Sequence, residues 1–313
     1  MDNAQAAELC SRIIANIERV IIGKREVVEK TLVVLMVGGH LLFEDVPGVG
    51  KTMLGRAIAA SIGCKFRRIQ FTPDLLPSDV TGVSIFNQKA GEFEFREGPV
   101  FAGILLADEV NRASPRTQAS LLEAMEEGQV TVDGTTYSLP KPSLVVATDN
   151  PIEYEGVYPL PESQLDRFLM RVHLGYPSRE AEIEVVKGQL LQHPIHSLAA
   201  VASTEDVLQL QEYVRACHVD DSLYDYALDI VQRTRDNECL YLGASPRGTL
   251  ALIRSAQAQA TLRGREFVAP DDLKELVPAV LAHRVILKPE ARMNGIVAHE
   301  LMQEIVAEVP VPV

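Results

Sequence analysis

The strongest constraint on the fold of this 313-residue chain is a series of short, largely apolar runs between residues 40 and 176. These runs are LLFE (41–44), FRRIQF (66–71), ILLAD (104–108), SLVVAT (143–148) and FLMRVHL (168–174). Stretches with helical periodicity separate them. Continuously apolar strands are buried on both faces, so the pattern predicts an α/β fold in which helices cover a five-stranded parallel sheet.

The regions on either side of this alternating segment have helical patterns. Residues 5–20 and 25–38 read as two amphipathic helices with a break at Gly23. After YPSREAE (176–182), strand-like runs nearly cease and helical periodicity continues. We therefore expect an α/β core over residues 1–180 and a smaller all-helical domain over residues 181–313.

Two segments interrupt the alternation within the core. The segment VSIFNQKAGEFEFREGPV (83–100) has two strand-like halves that meet at Ala90-Gly91. The segment GQVTVDGTTYSL (128–139) alternates with a period of two around Asp133-Gly134, which is a strong hairpin signal. We expect a pair of turn-linked strands at each place.

Composition and charge limit the possible classes of function. The chain is 47% hydrophobic and 23% charged, which is ordinary for a globular protein with a substantial core. Its net charge of −13 counts against a protein that grips nucleic acid through phosphate contacts. The basic run KFRRIQF (65–71) alternates as a strand, so we interpret it as structural.

Three features predict a cytoplasmic protein without membrane insertion. The N-terminal MDNAQAAEL has no basic segment of the kind that begins a secretory signal. The longest apolar run, LVVLMV (32–37), is too short to cross a bilayer. The four cysteines lie far apart without paired spacing, which favours a reducing compartment over a disulfide framework.

The stretch EDVPGVGKTML, which follows the first apolar run, has the features of a phosphate-binding loop. Gly48 and Gly50 allow successive backbone N–H groups to point at phosphate oxygens. Lys51 supplies a cation for the β- and γ-phosphates, and Thr52 supplies a hydroxyl for Mg²⁺. The next helix directs its N-terminal dipole at the same anion. Asp45 breaks the strict GxxxxGK[ST] pattern, but the strand-loop-helix context is kept.

A second feature, GILLADEV (103–110), is an apolar strand that ends in two adjacent acids. Asp108 can hold Mg²⁺ through water, and Glu109 can polarise a water for attack on the γ-phosphate. Ligands of parallel sheets bind at the carboxyl ends of the strands, where the phosphate loop also lies. The two motifs together predict a nucleoside triphosphatase.

Three more polar residues are candidates for the same chemistry. Asn150 can orient the attacking water, although an Asn-Pro turn is an alternative explanation. Arg167 can neutralise charge on a transferring phosphoryl group, or it can form an intramolecular pair with Asp166 or another acid. In GASPRG, Ser245 reads as a helix cap. Arg247 then lies in the first helical turn, where the dipole disfavours a cation, so its position indicates a use unless it is a plain surface side chain.

Taken in this order, the motifs resemble those of the AAA+ ATPases, and of the MoxR family in particular. The resemblance is densest over residues 21–176 and is carried by VIIGK, LFEDVPGVGKT, RIQFTPDLLPSDVTG, FREGPVF, LLADEVNRASPRTQASLLEAMEE, ATDNP, PLPESQLDRFLM and GASPRG. It implies a P-loop AAA+ core, an all-α lid, ATP and Mg²⁺ as cofactors, and a homo-oligomeric ring that is usually a hexamer. The two inserts match the helix-2 insert and the hairpin before sensor 1, which face the pore of such rings.

The resemblance also implies roles for individual residues. Its catalytic residues are Glu109, Asn150, Arg167 and Arg247, the last two being the arginine finger and sensor 2. Its nucleotide-binding residues are Ile21, Ile22, Gly23, Val46, Pro47, Gly48, Val49, Gly50, Lys51, Thr52, Met53 and Asp108. Its metal ligands are Thr52 and, through water, Asp108. In a ring, the finger of one subunit reaches the ATP of its neighbour.

MoxR-like ATPases are chaperone-like and often act with partners that carry a von Willebrand factor A domain, in metal insertion or complex assembly. The resemblance therefore implies that the energy of ATP remodels a client protein. Three alternatives stay open: a nucleic-acid motor of the helix-2-insert group, a metal-chelatase ATPase subunit, and a nucleotide switch that barely hydrolyses ATP. The acidic charge counts against the first, and Glu109 counts against the last.

Overall fold

The computed structural model describes residues 1–46, 48–150, 157–189 and 193–312. Its strands are β1 (Leu41–Glu44), β2 (Phe66–Gln70), β3 (Gly82–Asn87), β4 (Glu92–Glu97), β5 (Ile104–Asp108), β6 (Gln129–Val132), β7 (Thr135–Ser138), β8 (Leu144–Asp149), β9 (Met170–Val172), β10 (Leu240–Leu242) and β11 (Ile286–Leu287). Its α-helices are α1 (Asn3–Glu18), α2 (Arg25–Val37), α3 (Lys51–Ser61), α4 (Pro77–Thr81), α5 (Pro115–Glu127), α6 (Glu162–Leu165), α7 (Arg179–Gln189), α8 (Thr204–Arg215), α9 (Asp221–Asp236), α10 (Pro246–Leu262), α11 (Pro270–Leu281), α12 (Pro289–Met293) and α13 (Ala298–Glu308).

The central sheet has five strands in the order β2-β5-β8-β1-β9, and every neighbouring pair is parallel. The predicted parallel sheet is therefore confirmed, and each of the five predicted runs contributes one strand. The register places Gln70 opposite Asp108, and Glu44 opposite Asp149. Because all five strands run the same way, their carboxyl ends form a single edge of the sheet.

Alternate residues of the sheet enter two apolar clusters, as a two-residue period requires. Leu41 and Phe43 of β1 belong to the cluster that contains α1, α2 and α3, whereas Leu42 belongs to the cluster that contains α5. The edge strand β2 differs, because Arg67 and Arg68 are exposed. The run FRRIQF thus forms a strand without the burial that the other runs have.

Both inserts form antiparallel hairpins, β3 with β4 and β6 with β7. Asp133 and Gly134 have φ angles of 49° and 80°, which the tight turn of the second hairpin requires. The hairpins also touch each other, because the rings of Phe95 and Tyr137 stack with their centroids 4.1 Å apart. The two inserts therefore lie side by side on the molecule.

The two N-terminal helices differ in burial. Helix α1 keeps one buried face, as predicted. The prediction of an amphipathic helix at 25–38 is wrong in one respect, since α2 is buried over almost all of Val27–Met36. The reason is that α1, α8 and α10 pack around it. Within the described residues, no helix combines the length and the apolar character needed to span a bilayer.

The C-terminal region is predominantly helical, as predicted, with one correction. The short strands β10 and β11 pair antiparallel, so the region is not all-helical. The proposed boundary at residue 180 falls at the start of α7, and the division at this point stays a prediction. One apolar cluster runs through α1, α2, α8, α10 and α11, so the helical region is packed directly onto the core.

Candidate functional site

A cleft of about 310 Å³ opens at the carboxyl edge of the sheet, between the ends of β1, β2, β5 and β8. The residues that line it are Asp45, Gly48, Gly50, Lys51, Thr52, Met53, Arg68, Gln70, Asp108, Glu109, Thr148 and Asn150. The structure therefore brings together the predicted phosphate loop, both acids after β5 and Asn150.

The phosphate loop has the backbone that its glycines predict. Gly48 and Gly50 have φ angles of 87° and 105°, which L side chains rarely adopt. A Cβ at Gly48 would meet nothing within 4 Å, so the requirement for glycine there is one of conformation and not of space. Gly50 is also the N-cap of α3, whose amino end faces the cleft. This arrangement suits the binding of a phosphate chain.

Lys51 is 9% exposed, and its Nζ donates to the backbone oxygen of Asp45 at 2.9 Å. Burial lowers the pKa of Lys51, although the nearby carboxylates of Asp45, Asp108 and Glu109 oppose this shift. The cation thus lies inside the loop among acids. Together with the amino end of α3, it makes a donor set that fits a triphosphate.

Asp45 occupies the position where the strict loop pattern has its first glycine. Its carboxylate accepts the N–H groups of Leu174 at 2.5 Å and of Gly175 at 3.0 Å. Asp45 N–H in turn donates to the backbone oxygen of Asp149 at 3.3 Å. Asp45 therefore links the phosphate loop to the chain after β9. The departure from the pattern leaves the cleft open.

Thr148 holds both acids of the cleft, and the sequence analysis did not identify it. Its Oγ1 donates to Asp108 Oδ1 at 2.9 Å and accepts the backbone N–H of Glu109 at 2.8 Å. Glu109 has a φ of 56°, a conformation that costs a residue with a side chain about 1–3 kcal/mol. The threonine hydroxyl thus links the carboxylate of Asp108 to the backbone of Glu109.

Strand β2 contributes two further cleft residues. Arg68 Nε donates to Asp108 Oδ2 at 2.9 Å, and Gln70 Nε2 donates to Glu109 Oε2 at 2.7 Å. The run KFRRIQF thus forms a strand, as interpreted from the sequence, and two of its side chains also contact the acids of the cleft. The alternation of the run could have identified them. In a strand that lies next to β5, every second side chain is on the same face as one of the acids at the end of β5.

Asn150 is 5% exposed in the cleft wall, and its backbone oxygen accepts from Asn111 Nδ2 at 3.4 Å. The preceding residue, Asp149, faces Glu44 on the adjacent strand. Burial and then the charge of Glu44 raise the pKa of Asp149, and Arg171 opposes the shift. Asn150 thus lies in the cleft wall just after β8, whereas Asp149 lies among charged residues of the neighbouring strands.

Several residues that the resemblance links to the nucleotide are not in the cleft wall. Those within the described residues are Ile21, Ile22, Gly23, Val46 and Val49. Gly23 lies against α7, since a Cβ built on it would come 3.0 Å from Ala181 Cβ. Pro47 lies outside the described residues. The segment 21–23 therefore borders the chain that follows β9, which Asp45 ties to the phosphate loop.

Arg167 and Arg247 are not brought to the cleft of their own chain. They lie in a second cavity of about 290 Å³, between the core and the helical region. Both contact one carboxylate, because Glu126 Oε2 is 3.1 Å from Arg167 and its Oε1 is 2.5 Å from Arg247. Arg167 precedes β9, so it lies at the amino edge of the sheet, opposite the cleft.

Arg167 pairs within its own chain with another acid, Glu126, as the alternative allowed, and not with Asp166. The Asp166 carboxylate pairs with Arg284, whose Nε is 2.7 Å from Oδ1. The prediction that Ser245 is the cap residue of its helix is confirmed by position. Ser245 is the N-cap residue of α10 by position, but its hydroxyl makes no cap hydrogen bond.

The chain resembles known proteins over nearly its whole length. Residues 40–170 match the family model described as ATPase family associated with various cellular activities (AAA), and residues 232–305 match the AAA lid domain. Uncharacterized protein YeaC of Bacillus subtilis is 54% identical over 97% of this chain and 95% of its own length. Chaperone MoxR1 of Mycobacterium tuberculosis is 43% identical over 96% of this chain and 82% of its own length.

A solved structure agrees with these matches. It belongs to a candidate ATPase from Cytophaga hutchinsonii and is 38% identical to this chain. It superposes with a TM-score of 0.92, covering 99% of this chain and 97% of its own. The similarity thus includes both the sheet and the helical region.

We expect Lys51→Ala to abolish binding of a fluorescent ATP analogue, because it removes the cation inside the phosphate loop. The fold should survive, since the lost hydrogen bond contributes only about 1 kcal/mol. Titration and thermal unfolding measure the two effects. Lys65→Ala, at an exposed lysine outside the cleft wall, is the control. Unchanged affinity in Lys51→Ala would contradict the assignment of the loop.

We expect Thr148→Val to lower the turnover of ATP by about 10- to 100-fold, because misplaced catalytic groups cost rates of this size. ATP binding should change little, since Lys51 and α3 are untouched. Thr148→Ser keeps the hydroxyl and should retain most of the turnover. Steady-state phosphate release checks both variants, and equal rates in Val and Ser variants would show that the hydroxyl does not position the acids.

Proposed function

Because the chain belongs to the MoxR family of AAA+ ATPases, we propose that it hydrolyses ATP at the interfaces of a homo-oligomeric ring and uses the energy to remodel a partner protein. We expect a hexamer. The observation that carries the proposal is the separation of Arg167 and Arg247 from the cleft that contains Lys51 and Glu109. Two cations suited to a phosphoryl group lie on a different face from the phosphate loop.

One subunit supplies the first half of the proposed site. Lys51 and the amino end of α3 bind the phosphates, while Thr52 and, through water, Asp108 hold Mg²⁺. Bound Mg²⁺ would neutralise charge on the phosphate oxygens. Glu109 accepts a proton from the attacking water, and Asn150 orients that water. The donor set of the cleft supports these roles, since the carboxylate of Asp108 and the hydroxyl of Thr52 are oxygen ligands of the kind that Mg²⁺ prefers.

The neighbouring subunit supplies the second half. Within one chain, Lys51 faces the loop and Arg68 is paired with Asp108, so added charge on the γ-phosphate needs a further cation. Arg167 and Arg247 lie together on Glu126 and are 29% and 56% exposed. A neighbour's phosphate can compete with Glu126 for both. We therefore assign both arginines to action in trans.

The remodelling role rests on the similarity to a protein named as a chaperone. The adjoining β3–β4 and β6–β7 hairpins support it, since Phe86 and Phe93 are 50% and 73% exposed on the first. Such exposed aromatic pairs suit contact with another polypeptide. We propose a client protein and a partner with a von Willebrand factor A domain, in metal insertion or complex assembly.

We also propose a cytoplasmic location. The four cysteines are free thiols, which is consistent with a reducing compartment. The nucleic-acid motor and the chelatase subunit are less well supported. The MoxR1 chaperone is 43% identical over 96% of this chain, whereas magnesium-chelatase subunit ChlI-1 of Arabidopsis thaliana is 29% identical over 65% of it.

We expect Glu109→Gln to bind ATP with nearly normal affinity and to lose about 10²- to 10⁴-fold in turnover, because only proton acceptance is removed. Nucleotide titration and phosphate release separate the two effects. Glu205→Gln, at an exposed acid of α8, is the matched control and should keep normal turnover. Normal turnover in Glu109→Gln would leave this carboxylate without its proposed role.

Arg167→Ala should keep ATP binding and lose turnover by about 10³-fold, the usual effect of removing such a finger. Mixing it with Glu109→Gln tests whether the arginine acts in trans. Mixed rings contain interfaces where an intact Glu109 meets an intact Arg167, so part of the activity should return. If the arginine acted in cis, mixing would restore no activity, because no subunit would have both groups. Phosphate release is measured against mixing ratio, with subunit exchange verified separately, and a flat curve despite exchange contradicts the proposal.

A further inference from the structure

Ser245 is in the position of a helix cap but bonds elsewhere. Its backbone has the extended conformation of an N-cap residue, with φ −75° and ψ 167°. A serine there normally accepts an N–H group from the first helical turn. Instead, its hydroxyl donates to Asp166 Oδ2 at 3.1 Å, across 79 residues of sequence. When a residue breaks a local preference, the compensating contact is a candidate for function.

Asp166 is itself fixed by a buried arginine. The Arg284 side chain is 3% exposed, and its Nε donates to Asp166 Oδ1 at 2.7 Å. Its remaining N–H groups reach the backbone oxygens of Asp166 at 3.2 Å, Phe168 at 2.7 Å and Leu169 at 3.1 Å, and that of Val280. One guanidinium from the helical region thus binds the carbonyl groups on both sides of Arg167.

The Ser245–Asp166 bond therefore joins the two arginine-bearing segments. Arg167 follows Asp166 directly, and Arg247 lies two residues after Ser245 in the first turn of α10. Both guanidinium groups meet on Glu126. Two neighbouring cations repel each other, so their spacing needs support from the backbone once a phosphate takes the place of that carboxylate.

We propose that the Ser245–Asp166 bond holds Arg167 and Arg247 as one two-arginine unit, which is presented to a single phosphate group of the neighbouring subunit's nucleotide. Ser245 and Asp166 are positioning residues and do not touch the nucleotide. The inference rests on the proposed action of both arginines in trans. Its physical basis is that charge stabilisation requires donors placed within a fraction of an ångström.

The test compares Ser245→Ala with Ser245→Thr in the full chain. Ser245→Ala should lower kcat by about 10- to 100-fold, as misplacement of a catalytic group does. The KM and the affinity for a fluorescent ATP analogue should stay within about twofold of normal, because the phosphate loop is unchanged. Ser245→Thr keeps the hydroxyl and should restore most of kcat. Ser245→Gly, which N-cap positions accept, replaces the alanine variant if that one does not fold.

Ser203→Ala is the matched control. Ser203 is the N-cap of α8, and its hydroxyl does accept the N–H of Asp206, so the variant should lower the unfolding temperature without changing kcat. Ser245→Ala should show the reverse pattern. The positioning role would be overturned if Ser245→Thr did not restore kcat. It would also be overturned if the loss of kcat in Ser245→Ala were accompanied by a matching drop in the unfolding temperature.

Arg167→Ala and Arg247→Ala are measured alongside, so that two kinds of failure can be told apart. If both lose turnover while Ser245→Ala keeps a normal kcat, the positioning role is overturned and the trans assignment stands. If either arginine variant keeps normal turnover, the trans assignment fails and the positioning role fails with it. A large loss in both, together with the expected pattern for Ser245, supports the unit.

Discussion

The parallel direction of the five strands is the constraint on which the rest of the site depends. Because β1, β5 and β8 end at the same edge, the phosphate loop, Asp108 and Asn150 meet there without any long-range device. The same direction places Arg167, three residues before β9, at the opposite edge. The proposed catalytic groups of one chain therefore do not all line one cleft, and the proposed ring would complete the site.

Each cation that we assign to phosphate already has a partner within the chain. Lys51 donates to a loop carbonyl, and Arg167 and Arg247 share the carboxylate of Glu126. A phosphate must therefore compete with neutral or acidic groups of the protein. This competition makes engagement depend on both the nucleotide and the neighbouring subunit, which suits an ATPase whose turnover is tied to assembly.

Arg284 connects the helical region to the segment of the core around Arg167. Its buried guanidinium pairs with Asp166 and binds backbone oxygens on both sides of Arg167, so the finger segment moves with the helical region and not with β9 alone. The apolar cluster shared by α2, α8 and α10 reinforces this connection. A rotation of the helical region would carry the two arginines together, and in the proposed ring this would pass the state of one subunit to the site of the next.

The sequence alone determined the sheet, both hairpins, the loop backbone at Gly48 and Gly50, and the grouping of Lys51, Asp108, Glu109 and Asn150, because these follow from local periodicity and strand direction. It did not reveal the contacts of Arg68, Gln70 and Thr148, which depend on the order of strands in the sheet. It also did not reveal the pairing of Asp166 with Arg284 or the bond from Ser245 to Asp166. Those bonds join segments far apart in the chain, and only packing of the helical region on the core decides them.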